Sequence, residues 1–141
     1  LFYFGEFDHA IDEATDANTS FLIYSHIPII VGLIVITVSM SFLVSPSANH
    51  LFATSFFYFG IAIFQGAILA NSIYNIDDFK FPRWYYSFQT ALYICGLILS
   101  LLLSKNPDTV IKITSIMSVC QTGIFIVYFV KKKPDYDLLK L

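Results

Sequence analysis

Apolar residues along this chain gather into four long runs separated by short polar breaks: Phe21–Val44, Leu51–Tyr74, Trp84–Ser104 and Thr109–Val130. A helix rises 1.5 Å per residue, so about 20 apolar residues cross roughly 30 Å of hydrocarbon. Each run meets that length. None holds Asp, Glu or Arg, and the only lysine, Lys112, lies close enough to an end to snorkel. The breaks are Ser45-Pro46-Ser47-Ala48-Asn49, Asn75-Ile76-Asp77-Asp78 and Lys105-Asn106-Pro107-Asp108. Pro, Asn, Asp and Ser favour turns there, through a fixed φ or side-chain bonds to the local backbone. Connections this short predict that consecutive helices are antiparallel neighbours.

Ahead of the first run the pattern changes. Leu1-Phe2-Tyr3-Phe4 is too short to span and is expected to be the end of a preceding helix. From Glu6 to Ala17, Phe7, Ala10, Ile11, Ala14 and Ala17 recur at helical spacing, a thin apolar stripe on an acidic segment. Ser20 is placed to cap the first span. The predicted fold class is therefore an all-α integral membrane protein, with four antiparallel transmembrane helices preceded by a short acidic amphipathic helix. Its parts are residues 1–20 (helix end plus acidic juxtamembrane helix), 21–131 (four-helix bundle) and 132–141 (tail).

Composition agrees. Of 141 residues 57% are apolar and 13% charged, against about 25% charged in an ordinary soluble domain. Mean hydropathy is +0.71 and formal net charge −2. These values exclude a disordered chain, a nucleic-acid binder driven by charge and a disulfide-stapled secreted domain. Charge placement sets an expected orientation. Lys80, Arg83, Lys131, Lys132, Lys133 and Lys140 fall on one side of a four-span chain, and Lys105 and Lys112 on the other. The positive-inside rule then puts both ends in the cytoplasm of a plasma-membrane protein. Tyr24, Tyr74, Trp84, Tyr85, Tyr86 and Tyr128 fall near that same side, as interfacial aromatics do.

Tyr24-Ser25-His26-Ile27-Pro28-Ile29-Ile30-Val31-Gly32 resembles the Tyr-x-His-x-Pro-Ile-x-x-Gly stretch of the low-temperature-requirement A family of polytopic membrane proteins. Leu1-Phe2-Tyr3-Phe4 resembles that family's aromatic Tyr-Phe-Asp helix end, with Gly5 where the acid stands and Glu6 next. Phe57-Tyr58-Phe59-Gly60 and Phe64 resemble a further aromatic and glycine pattern of the family. Members are longer, so the resemblance implies a multi-pass helical fold of which this chain is the C-terminal half. It implies helical partners N-terminal to this chain and supplies no biochemical activity.

The chemistry-bearing residues each admit two readings. His26 lies within two turns of the start of the first span, with Pro28 unable to donate a backbone hydrogen bond there. One reading is a titratable group at a kink, gating or relaying protons near neutral pH. The other is a histidine bonded to a neighbouring helix as packing glue. Tyr24, Gly32 and Glu6 join His26 and Pro28 as candidate functional residues. His9, Asp12, Glu13 and Asp16, at i, i+3, i+4 and i+7, share one helix face that either binds a divalent cation or is simply solvated. Gln65, Gln89 and Gln121 lie inside spans, where amides usually cross-link helices. No carboxylate or buried lysine accompanies them, which counts against an ion-coupled path.

Ala62, Gly66 and Ala70 repeat every four residues, a small-residue face that lets helices approach closely. Leu at Gly66 is expected to force that contact apart. Cys95 and Cys120 fall at similar depth on adjacent helices, where cysteine mostly behaves as a small hydrophobe. Lys131-Lys132-Lys133 attracts anionic lipid without needing a specific ligand. No nucleophile triad or phosphate loop is present, and no cofactor is expected. The leading functional reading is a transport, channel or sensor role centred on His26 and Pro28. The alternative is a non-catalytic membrane scaffold or stress-adaptation protein. Its partners are then the bilayer, preceding helices of the same protein and, in either case, further copies of itself.

Overall fold

A computed structural model describes residues 19–72 and 80–131. All regular structure there is helical: α1 Thr19–Leu43, α2 His50–Asn71, α3 Arg83–Leu102 and α4 Pro107–Lys131. Four helices are long and apolar enough to cross a membrane. The acidic segment with Glu6, His9, Asp12, Glu13 and Asp16, the loop after α2 and the tail all lie outside the described residues.

Local signals set the ends. Asn49 caps α2, its Oδ1 accepting from the amides of Leu51 at 3.0 Å and Phe52 at 3.2 Å. Such a cap is worth about 1 kcal/mol. Pro82 immediately precedes α3. Pro107 opens α4, where its missing N–H and fixed φ cost nothing. Asp108 stands in the first turn of α4 and Lys131 in its last, each favourable to the helix dipole. One boundary differs from expectation. The first helix already includes Thr19 and Ser20, so Ser20 sits within its first turn and is not its cap. Neither Pro nor Gly stands just before it to stop the helix sooner. Pro28 likewise lies inside an unbroken α1.

Outside and inside are arranged as lipid requires. Ile30, Ile34, Val38, Phe52, Phe59, Ile98, Leu102 and Val119 are exposed. Ser39, Thr54, Asn71, Gln89, Ser100, Thr114 and Gln121 are buried. Water would penalise such a surface heavily, because each apolar side chain left outside forfeits about 1.5–3 kcal/mol of burial. In hydrocarbon the penalty disappears and polar side chains seek each other within the bundle. This distribution, like the helix lengths, is compatible with a multi-pass membrane protein.

Two seams hold the bundle. Between α1 and α2 the backbones nearly touch. A Cβ on Gly32 would lie 2.7 Å from the Phe64 amide nitrogen, and one on Gly60 would lie 2.8 Å from that of Ile36. Further along, the rings of Phe42 and Phe52 meet edge to face at 6.4 Å. The second seam joins α2 to α3 and α4. An apolar core of Leu43, Phe57, Tyr58, Ile61, Val110 and Met117 lies at one end of it. At the other end Phe81 stacks on Tyr85 at 4.2 Å, with Phe125 and Tyr128 closing around them.

Candidate polar pocket within the bundle

Three glutamines converge from three helices. Gln65 on α2 and Gln121 on α4 exchange amide hydrogen bonds, Nε2 of Gln65 donating at 2.6 Å and Nε2 of Gln121 returning at 3.3 Å. Gln89 on α3 donates to the Tyr85 hydroxyl at 3.0 Å and to the Gln121 carbonyl at 3.4 Å. The Gln121 amide in turn reaches the Gln89 carbonyl at 3.4 Å. These contacts tie α2, α3 and α4 together at one level. Gln65 is six residues from the end of α2 and Gln89 six from the start of α3, about 9 Å inside each at helical rise.

A cavity of about 130 Å³ opens against this cluster. Gln65, Gln89, Gln121, Ser118, Thr122 and Phe64 line it, with Leu69. The lining offers amide and hydroxyl donors and acceptors and carries no ionisable group. Such a site suits a neutral polar guest, or water. It has nothing to balance a bare charge in a medium where an unpaired ion is very costly.

A second polar cluster lies towards the opposite end. The Tyr58 hydroxyl pairs with Ser100 Oγ at 2.8 Å and accepts from Thr114 Oγ1 at 3.0 Å. Tyr93 donates its hydroxyl to the Tyr58 carbonyl at 2.9 Å. Gly96 makes room for this hub, since a Cβ there would come within 3.2 Å of the Tyr58 hydroxyl. Tyr58 therefore fastens α2 to both later helices. Its side chain is fully buried, and Ser100 and Thr114 offset the desolvation of its hydroxyl.

The residues singled out from sequence separate. His26 is half-buried on α1, Tyr24 beside it is exposed and Ser25 is buried. His26 is not among the residues lining the glutamine cavity. Gly32 acts as a packing residue, holding α1 against Phe64, and Gly60 does the same against Ile36. The Ala62, Gly66 and Ala70 face requires a correction. Gly66 is exposed, and a Cβ added there meets nothing within 4 Å. Among the described residues no helix packs closely on Gly66, and α2 turns its Gly60 and Phe64 side to α1. Cys95 and Cys120 are both exposed and free.

Some buried polar atoms were not foreseeable. The Tyr58, Ser100 and Thr114 hub has no sequence signature, because serine and threonine punctuate all four spans. Among the described residues, His50 Nδ1, Thr54 Oγ1 and both amide atoms of Asn71 are buried without a hydrogen-bond partner. His50 and Thr54 stand one turn apart at the start of α2. No protein-family profile, characterised protein or solved structure matches the chain.

Proposed function

We propose that this chain forms part of a polytopic membrane protein similar to the low-temperature-requirement A family, acting in transport, channel or sensor function through the glutamine-lined cavity. The observation that carries the reading is the convergence of Gln65, Gln89 and Gln121 beside a cavity lined by uncharged groups within the membrane-spanning length. The guest is a small neutral solute able to hydrogen-bond to amides. His26 and Pro28, on α1 and outside the cavity lining, are read as a regulatory element. The spans are read as an antiparallel bundle, supported by the pairing of Gly32 with Phe64, Gly60 with Ile36 and Phe42 with Phe52. Both ends are placed in the cytoplasm of a plasma-membrane protein, supported by the lysine and arginine distribution. The acidic segment before α1 is read as a juxtamembrane helix.

A scaffold role is the second reading. The mutual satisfaction of Gln65 and Gln121 favours it, since paired amides already do what helix cross-links do. Flux separates the two. In proteoliposomes the transport reading expects uptake of urea or glycerol above the protein-free rate, lost in Gln89→Leu while helicity is retained. A wild-type rate equal to empty liposomes leaves the scaffold in place. His26→Gln is expected to keep the flux, because His26 does not line the cavity.

A further inference from the structure

A second recess lies on the outer surface of the bundle, and its chemistry is the reverse of the glutamine cavity. It is a groove of about 410 Å³ between α3 and α4, lined by Trp84, Phe88, Gly123, Ile124, Val127, Tyr128 and Lys131. The register is simple. Gly123, Val127 and Lys131 stand at successive i+4 positions on α4, and Trp84 and Phe88 face them from α3 at the same spacing. Gly123 makes the floor, for a Cβ there meets nothing within 4 Å. From Gly123 to Lys131 the groove runs about 12 Å along the helix axis.

Its two ends differ in kind. The Gly123 end is wholly apolar and lies within the spanning length. The Lys131 end has a cation, an indole and a phenol, the residue types that settle at headgroup level. Tyr128 is fixed there by donating its hydroxyl to the Lys80 carbonyl at 2.8 Å, and Trp84 packs on it at a ring distance of 6.3 Å. Lys80 and Arg83 add positive charge at the same end of the bundle. Asp108 is the one acid among the described residues, and it opens α4 at the far end. Among the described residues no carboxylate lines the groove beside Lys131.

We infer that this groove is a binding site for an anionic phospholipid, one acyl chain lying over Gly123 between Phe88 and Val127, and the phosphate held by Lys131. Charge complementarity selects the occupant. A second copy of the chain would present the same exposed lysine to the same lip, and like charges would meet. A zwitterionic lipid fills the apolar part equally well but gains less at the lysine. The generic attraction of a lysine run for an anionic leaflet gives no such depth or register.

Trp84 is the only tryptophan in the chain and lines the groove, so its fluorescence reports the occupant. The protein is reconstituted into vesicles carrying brominated phosphatidylglycerol or brominated phosphatidylcholine of the same acyl chains, at equal mole fraction. The expected result is that phosphatidylglycerol quenches Trp84 with an apparent affinity about fivefold higher, as one lysine contact implies. Lys131→Gln removes that preference and leaves quenching by phosphatidylcholine intact. Lys80→Gln takes away the same charge at the same end and leaves the preference within about twofold. Gly123→Leu, which meets no steric obstacle, fills the floor and reduces quenching by both lipids. Equal quenching by the two lipids in the unmodified protein overturns the inference. So does an equal loss in Lys131→Gln and Lys80→Gln, which indicates surface attraction alone. Absence of quenching by either lipid, with Trp84 emission shifted to the blue, assigns the groove to the tail or to a second copy and also overturns it.

Discussion

The seam between α1 and α2 and the seam between α2 and the later helices solve one problem by opposite means. Lipid is as apolar as leucine, so burying leucine between helices gains little, and helices must be held by close packing or by polar contacts. The first seam uses closeness. Gly32 and Gly60 remove every atom that would hold the backbones apart, and Phe64 and Ile36 fill the space. The second uses hydrogen bonds, through the paired amides of Gln65 and Gln121 and the Tyr58 hub with Ser100 and Thr114. A dry seam tolerates almost no added volume. A polar seam tolerates volume better but depends on each partner being present.

That contrast is open to test by mutation, read as unfolding free energy in mixed micelles. The largest effect is expected at Gly32→Leu. Its Cβ would lie 2.7 Å from a backbone nitrogen, which cannot rotate aside. The helices must part, at about 3 kcal/mol or more, the upper range of overpacking penalties. A loss below about 1 kcal/mol would show that α1 is not seated on Phe64. Tyr58→Phe comes next. Removing one hydroxyl strands Ser100 Oγ and deprives Thr114 of an acceptor, for a loss of about 1–2 kcal/mol. A double-mutant cycle on Gln65→Leu and Gln121→Leu sharpens the comparison further, with an expected coupling of about 0.6 kcal/mol and no more than about 1.7. Additive losses would dissolve the amide pair. The smallest effect belongs to Gly66→Leu, within about 0.5 kcal/mol, because the added side chain enters open space. A loss there as large as at Gly32 would reveal a helix from outside the described residues seated on that face.

The same contrast explains what could be read from the sequence. The four helices were legible because each is an uninterrupted apolar run of sufficient length, and their ends fall within a few residues of Asn49, Pro82 and Pro107. The convergence of Gln65, Gln89 and Gln121 was legible as a tendency, since amides in a span need partners. Which amide meets which was not, because that depends on the rotation of each helix about its own axis. Rotation also misdirected the small-residue reading. Ala62, Gly66 and Ala70 form a regular stripe, but Gly60, about a third of a turn from Gly66 around the helix axis, makes the contact. In a helix apolar on every face, periodicity carries no information about which face is inside. Composition announces the membrane and at the same time erases the usual marker of the core. The Tyr58 hub was hidden for a related reason, one hydroxyl among the nine tyrosines of the chain.

The exchange of amide bonds between Gln65 and Gln121 has a mechanical consequence. Glycine-to-backbone contact between α1 and α2 has no substitute: once parted, those surfaces find only lipid, which cannot enter so narrow a gap. Amides are different, because water offers each of them an equivalent bond for little net cost. A few waters entering beside Ser118 and Thr122 would replace the Gln65 to Gln121 pair without leaving a group unsatisfied. Compliance is therefore unevenly distributed through the bundle. The α1 and α2 pair is expected to move as a single stiff body, with displacement relative to α3 and α4 taken up along the polar contacts that join them.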